Sequence, residues 1–284
     1  MNVLNGAAWF TLAVIAALSL YLMSRVNGPV VLETLHSAPF WGAVAVGFFA
    51  QAVDGALGMA YGVTATTFLL GAGATPAAAS ASVHIAEIFT TGFSGVSHLK
   101  LGNVNRQLFV RLLVPGMIGA VLGTIFITQF DGKVLRPYVT AYLLLMGLYI
   151  LSKAFRTLRA RASEPKHVGK LAVFGGFVDA AGGGGWGPVV TSTLVGSGRD
   201  PRTTIGTVNF AEFFITVATA ASFSLLAGPS TWILVAGLVV GGLFAAPFGA
   251  VLCSRVPART LLIAVGTLIS ALSAYNLGRL FFFP

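Results

Sequence analysis

Between Glu212 and Arg255 the chain carries no Asp, Glu, Lys or Arg. A bilayer core takes about 20 residues of apolar helix, so this window is long enough for two spans, with a turn at Ala227-Gly228-Pro229-Ser230. Lipid offers the backbone no hydrogen-bond partners, which confines spanning segments to helices and closed barrels. Similar windows recur along the chain. Charged residues are 9% of it and hydrophobic ones 56%, against ~25% charged in an average soluble domain, and the mean hydropathy is +0.88. The sequence reads as an all-α polytopic membrane protein.

The net charge of +9 does not point to nucleic acid, because the basic residues sit between apolar segments with no soluble domain to present them. Lys153, Arg156, Arg159, Arg161, Lys166 and Lys170 form one cluster, as the positive-inside bias predicts for a cytoplasmic loop. The single cysteine, Cys253, excludes an intrachain disulfide and a cysteine-based metal site. The N-terminus lacks the basic region of a secretory signal, so the first segment is expected to be retained.

Nine apolar segments are expected, at about 7–24, 40–71, 75–99, 107–129, 134–152, 170–197, 202–226, 231–253 and 260–282. The first, with its loop (1–39), stands apart as an extra helix. The other eight form two groups of four, 40–157 and 158–284, and these are an internal repeat. An offset of 125 pairs Asp54 with Asp179, Tyr61 with Trp186, Gly62 with Gly187, Thr66 with Thr191, Pro76 with Pro201, His84 with Asn209 and Glu87 with Glu212. An offset of 126 then pairs Gly116 with Gly242, Lys133 with Arg259 and Tyr149 with Tyr275. In an uncharged background, matches of Asp, Glu and Pro carry far more weight than matches of Ala or Leu. Equivalent loops differ in charge: Lys100, Arg106 and Arg111 follow the third segment while the seventh is followed by none. Arg199 and Arg202 follow the sixth while the second is followed by none. Opposite charge content favours opposite sides of the membrane, hence inverted repeats in which the second and sixth segments re-enter.

Those two segments are also the ones that cannot be continuous helices. Gly182, Gly183, Gly184 and Gly185 are followed by Trp186-Gly187-Pro188. Each glycine costs a helix about 1 kcal/mol and an interior proline about 3. The echo upstream is Asp54-Gly55-Ala56-Leu57-Gly58 followed by Tyr61-Gly62. A broken helix within hydrocarbon survives only where protein or a wet cavity satisfies its backbone. It also offers exposed N–H groups and a positive dipole end, which suit an oxyanion. Gly55, Gly58, Gly62, Gly182, Gly183, Gly184, Gly185 and Gly187 are therefore candidate binding positions. Thr64, Thr66 and Thr191 are candidate hydroxyl donors beside them, with Ser192 and Thr193 nearby. Tyr61 and Trp186 are either interface aromatics or walls of the site. The isolated Gly116, Gly119 and Gly123 read as helix-packing residues.

Ionisable residues inside a membrane are costly and mark function by default. Here they are Asp54, Glu87, Asp179 and Glu212. His84, three residues before Glu87 on the same helix face, and Asn209, which stands likewise before Glu212, are candidate binding positions as well. Two readings stay open for the glutamates. Either they satisfy N–H groups freed by the glycine breaks, or they line the substrate path and carry a proton. Catalysis is not expected. The two aspartates are repeat equivalents with no Gly-x-Gly-Asp run, and the dispersed histidines His36, His84, His98 and His167 make no metal motif. No cofactor is expected.

The Gly182–Val190 run, the Asp54–Gly58 run, the TTGFSGVSHLKLGNVN stretch ending at Asn105 and the duplicated four-segment plan resemble the TauE/SafE family. These are the sulfite/organosulfonate exporters, also called the toluene-sulfonate uptake permease family. The resemblance spans about residues 40–282. It implies secondary transport of small sulfur oxyanions or organosulfonates across the bacterial inner membrane, with a small anion and the lipid bilayer as partners. One departure is Val63-Thr64 where the second repeat has Pro188-Val189. The expectation is a carrier whose two broken segments meet near the midplane and hold the anion. An anion channel with re-entrant hairpins, and a proton- or cation-coupled carrier of another small carboxylate or anion, are the alternatives.

Overall fold

The computed structural model describes residues 2–25, 28–155, 167–226, 232–255 and 257–282, and among them it is entirely helical. Helix α1 (Asn2–Arg25) precedes the short α2 (Gly28–Leu35). Then come α3 (Ala38–Leu57), α4 (Tyr61–Gly71), α5 (Pro76–Lys100), α6 (Arg106–Gln129) and α7 (Gly132–Lys153). After the linker come α8 (Val168–Gly182), a π-helical turn at Gly187–Thr191, α9 (Ser192–Gly196), α10 (Pro201–Leu226), α11 (Trp232–Arg255) and α12 (Ala258–Phe282). Among the described residues, five helices are long and apolar enough to cross a membrane: α1, α6, α7, α10 and α12. Arg156, Arg159, Arg161 and Lys166, and the turn at 227–230, lie outside the described residues.

Local chemistry sets the helix starts. Pro76 and Pro201 each occupy a first helical position, where the missing N–H costs nothing. Thr75 caps α5 by accepting the Ala78 N–H at 3.3 Å, and Asp200 caps α10 by accepting the Thr203 N–H at 2.8 Å. Asn105 caps α6 through the Leu108 N–H at 2.9 Å, and its own N–H donates to Thr207 of α10 at 2.8 Å.

The helices then pack across the linker. α3 lies against α11, α6 against α8, α5 against α10 and α7 against α12. Glycine makes the first two contacts possible. A Cβ on Gly119 or Gly123 would strike the Val173 or Phe177 carbonyl of α8, and one on Gly241 would strike the Val44 carbonyl of α3. Without a hydrophobic driving force in lipid, such close backbone approach is what holds membrane helices together. Gly116 instead makes room for the Trp186 ring, whose nearest atom would lie 3.0 Å from an added Cβ. The polar interior is enclosed by these pairs, with Thr64, Ser80, His84 and Thr191 all essentially inaccessible.

Candidate functional site

Both glycine-rich segments are broken, and in the same manner. Helix α3 ends with Gly58 at φ 65°, its N–H donating to the Asp54 carbonyl at 2.6 Å. Helix α8 ends with Gly183 at φ 70°, and Gly184 follows at φ 146° with its N–H on the Asp179 carbonyl at 2.9 Å. Such left-handed helix ends are the usual place for glycine. One residue breaks that habit: Ala60, at φ 92°, enters α4 where a Cβ is disfavoured.

The aspartates bridge the breaks. Asp54 Oδ1 accepts the Tyr61 N–H at 3.3 Å, and Asp179 Oδ1 accepts the Trp186 N–H at 2.9 Å. Each carboxylate thus reaches from the end of one half-helix to the first N–H of the next. This is the role that sequence reasoning offered to Glu87 and Glu212; at these N–H groups the aspartates fill it. The dipole end of each second half-helix therefore already faces a carboxyl group from the chain itself.

The two breaks touch. A Cβ on Gly62 would lie 2.7 Å from the Gly184 Cα and 3.1 Å from the Gly183 carbonyl oxygen, and one on Gly187 would lie 3.0 Å from the Met59 Cα. The Thr66 hydroxyl donates to the Gly183 carbonyl, and the Tyr142 hydroxyl of α7 donates to the Gly184 carbonyl at 2.7 Å. Tyr142 also covers Gly182 and Gly185. Gly55 lies in the last turn of α3, its surroundings outside the described residues.

Around this contact stand the acids and their partners. Glu87 comes within 3.2 Å of the Cβ position of Gly62. It is close enough to Asp54, Asp179 and Glu212 for their charges to interact. His84 faces the second half: its Nε2 lies 3.1 Å from Asp179 Oδ2, and its Nδ1 donates to the Ser80 carbonyl at 2.7 Å. Ser80 in turn donates through its hydroxyl to the Ala180 carbonyl at 2.7 Å. Among the described residues, the buried polar atoms without a protein partner include Gln51 Oε1, Thr64 Oγ1, Glu87 Oε2 and Asn209 Oδ1, and also the Ser270 and Ser273 hydroxyls of α12.

The aromatics are buried and do not face a membrane interface. Tyr61 and Trp186 are buried, and the Trp186 Nε1–H donates to the Val208 carbonyl at 3.2 Å. Thr191 is buried as well, whereas Thr193 is exposed and bonds its own helix at Val189. Three residues escaped the sequence reading. Gln51 and Tyr142 lie in apolar runs where an isolated polar group was the one available signal. Lys153, grouped with the loop cations, turns inward from the end of α7, donating to the Ser192 hydroxyl and lying 3.9 Å from the Met59 sulfur. Among the described residues no group of His, Cys, Asp or Glu is arranged for a metal ion.

Helices of membrane-spanning length enclosing two touching breaks and buried polar side chains are the architecture of a polytopic membrane protein. The chain belongs to the family described as "Sulfite exporter TauE/SafE", whose model matches residues 43–276. It is 45% identical over 242 residues to the "Probable membrane transporter protein YtnM" of Bacillus subtilis (strain 168), covering 82% of this chain and 80% of that protein. No solved structure matches it. It is a membrane transporter and not an enzyme.

Proposed function

We propose that this transporter moves small sulfur-containing anions, sulfite or organosulfonates, outward across the bacterial inner membrane. The anion is held where the two broken segments meet. The observation that carries this reading is the set of unpartnered buried atoms on Gln51, Thr64, Glu87 and Asn209, of which Glu87 stands beside Gly62 and Thr64 follows Gly62 by two residues in α4. A buried polar atom left without a partner costs about 1–3 kcal/mol, so such a set is the chemistry of a ligand site. Each of the four can turn a hydrogen towards an oxyanion. Thr64 does so through its hydroxyl, Gln51 and Asn209 through an amide NH2 after rotation, and Glu87 when it carries a proton. The family's description supplies the sulfur oxyanion class.

The exchange of partners between the halves, α3 with α11 and α6 with α8, supports two interleaved repeats (40–157 and 158–284) behind an extra N-terminal helix (1–39). Inverted repeats would bring the two second half-helices, α4 and the Gly187–Gly196 segment, to the midplane from opposite faces. Export follows the membrane potential. One negative charge leaving a negative interior releases about 2.3 kcal/mol per 100 mV, so a dianion accompanied by one proton still leaves downhill. The convergence of four acids favours, as the second reading, a proton- or cation-coupled carrier of another small anion.

Thermal unfolding of the purified chain with sulfite, thiosulfate, sulfoacetate and taurine separates these readings, with acetate as the reference. Stabilisation of about 2.7 kcal/mol at a hundredfold excess over Kd is expected for at least one sulfur anion. No stabilisation by any of them, or an equal response to acetate, overturns the sulfur assignment. Glu87→Gln keeps a donor but no titrating group, so it is expected to bind while shifting the wild-type dependence of flux on pH. An unchanged rate and pH profile removes the proton role from Glu87.

A further inference from the structure

His84 Nδ1 stands 2.7 Å from the Ser80 carbonyl, which only accepts, so Nδ1 carries a hydrogen. Its other nitrogen, Nε2, faces Asp179 Oδ2 at 3.1 Å. That contact is a hydrogen bond only if one proton lies between them, on the imidazole or on the carboxyl. In either placement the pair is neutral overall. Without that proton two acceptors face each other and the contact opens. With a second proton the carboxylate charge is gone, and with it the charge-assisted strength of the bonds Asp179 accepts.

We propose that this shared proton is the coupling proton of the transport cycle, and that the His84–Asp179 pair latches α5 to the second broken segment while it is held. The coupling role rests on the transport reading above; the latch itself does not.

The surroundings make the pair a latch and not an ordinary core contact. His84 and Ser80, one turn apart on α5, grip consecutive residues of α8, Asp179 and Ala180. The same Asp179 holds the break on its far side, through Oδ1 to the Trp186 N–H and through its carbonyl to the Gly183 and Gly184 N–H groups. A proton gained or lost at His84 is therefore one residue away from the glycine run that meets Gly62. The first break has no such device. Asp54 caps Tyr61 in the same way, but the position equivalent to His84 is Asn209, which cannot trade a proton under physiological conditions.

The titratable groups within electrostatic reach of Asp179 are Glu87 on the helix of His84, Glu212 of α10 and Tyr142 of α7, while Asp54 of α3 reaches Glu87 and Glu212. Tyr61 of α4 lies within reach of the Glu87 and Asp54 charges. Lys153 reaches the first break at Met59, and the Phe223 ring of α10 lies 6.4 Å from the imidazole.

The test needs no substrate. In the full chain in detergent, with Trp9→Phe, Trp41→Phe and Trp232→Phe leaving Trp186 as the sole tryptophan, emission is followed against pH. A transition is expected as the shared proton leaves. His84→Gln is expected to abolish it, while Ser80→Ala, which removes a hydroxyl but no proton, is expected to keep it. A transition of unchanged midpoint in His84→Gln, or none in the unsubstituted parent, overturns the latch. Should His84→Gln not fold, Asp179→Asn carries the same expectation and the same refutation. In liposomes, the His84→Gln transporter is expected to lose the pH dependence of flux; retained pH dependence overturns the coupling role. Because the fluorescence arm contains no sulfur anion, it stands or falls apart from the substrate assignment.

Discussion

Replacing Gly184 by alanine tests the contact between the breaks. Its φ of 146° lies in a region that L side chains rarely adopt, and the added Cβ would sit on the Gly62 carbonyl carbon and the Val63 nitrogen, 2.8 Å from the Gly62 Cα. Both obstacles are backbone, so no side-chain rotation relieves them. Backbone strain of this kind costs about 1–3 kcal/mol, and forced overpacking a similar amount. Together they amount to about 2–6 kcal/mol, a large part of the 5–15 kcal/mol that holds a typical domain folded. Gly196→Ala is the control, since it lies in α9 with nothing within 4 Å of the added Cβ. It is expected to melt at or slightly above the wild-type temperature, because alanine is the better helix former by about 0.5–1 kcal/mol. Unfolding in detergent, followed by circular dichroism, and flux in liposomes are the two assays. Gly184→Ala is expected to lower the melting temperature and to abolish flux. If it melts and transports like the wild type, the two breaks do not meet as described.

The reverse change at the first break is expected to help: Ala60→Gly relieves a φ of 92° and should stabilise the chain by about 1 kcal/mol in denaturant titrations. Trp186→Phe keeps a ring beside Gly116 but loses the bond to the Val208 carbonyl, and is expected to cost about 1 kcal/mol or more in the same titrations. Asp200 offers a pH test away from the membrane interior. The Thr203 N–H and then its hydroxyl hold the Asp200 carboxyl below its ordinary value. A lowered folded-state value means that the cap's contribution is complete above the unfolded pKa of about 4 and is lost as pH falls through the folded one. Asp200→Ala should therefore lower the melting temperature at pH 7, and the difference from the wild type should shrink in strong acid.

The positions of the breaks were legible because Gly182–Gly185 and Gly58–Gly62 violate helix propensity inside spans that must be helical. The helix starts at Pro76 and Pro201 were legible for the same local reason. What was not legible is tertiary. Helical spacing placed His84 with Glu87 on one face of α5, but the partner of His84 is Asp179, from the other half of the chain, and no spacing rule reaches that far. The capping role of Asp54 and Asp179 depends on the chain doubling back over seven residues to Tyr61 and Trp186, a geometry set by the left-handed glycines. Lys153 looked like one more loop cation because its neighbours in sequence are basic, whereas its side chain turns inward to Ser192.

The central claim, that a sulfur oxyanion is carried between the touching breaks, is tested most directly by counterflow. Liposomes containing the purified chain are loaded with unlabelled sulfite and diluted into trace labelled sulfite. A carrier accumulates the label transiently and saturates, and Gly184→Ala is expected to abolish this. Absence of counterflow for every sulfur anion tried, or single-channel currents in its place, would contradict the account.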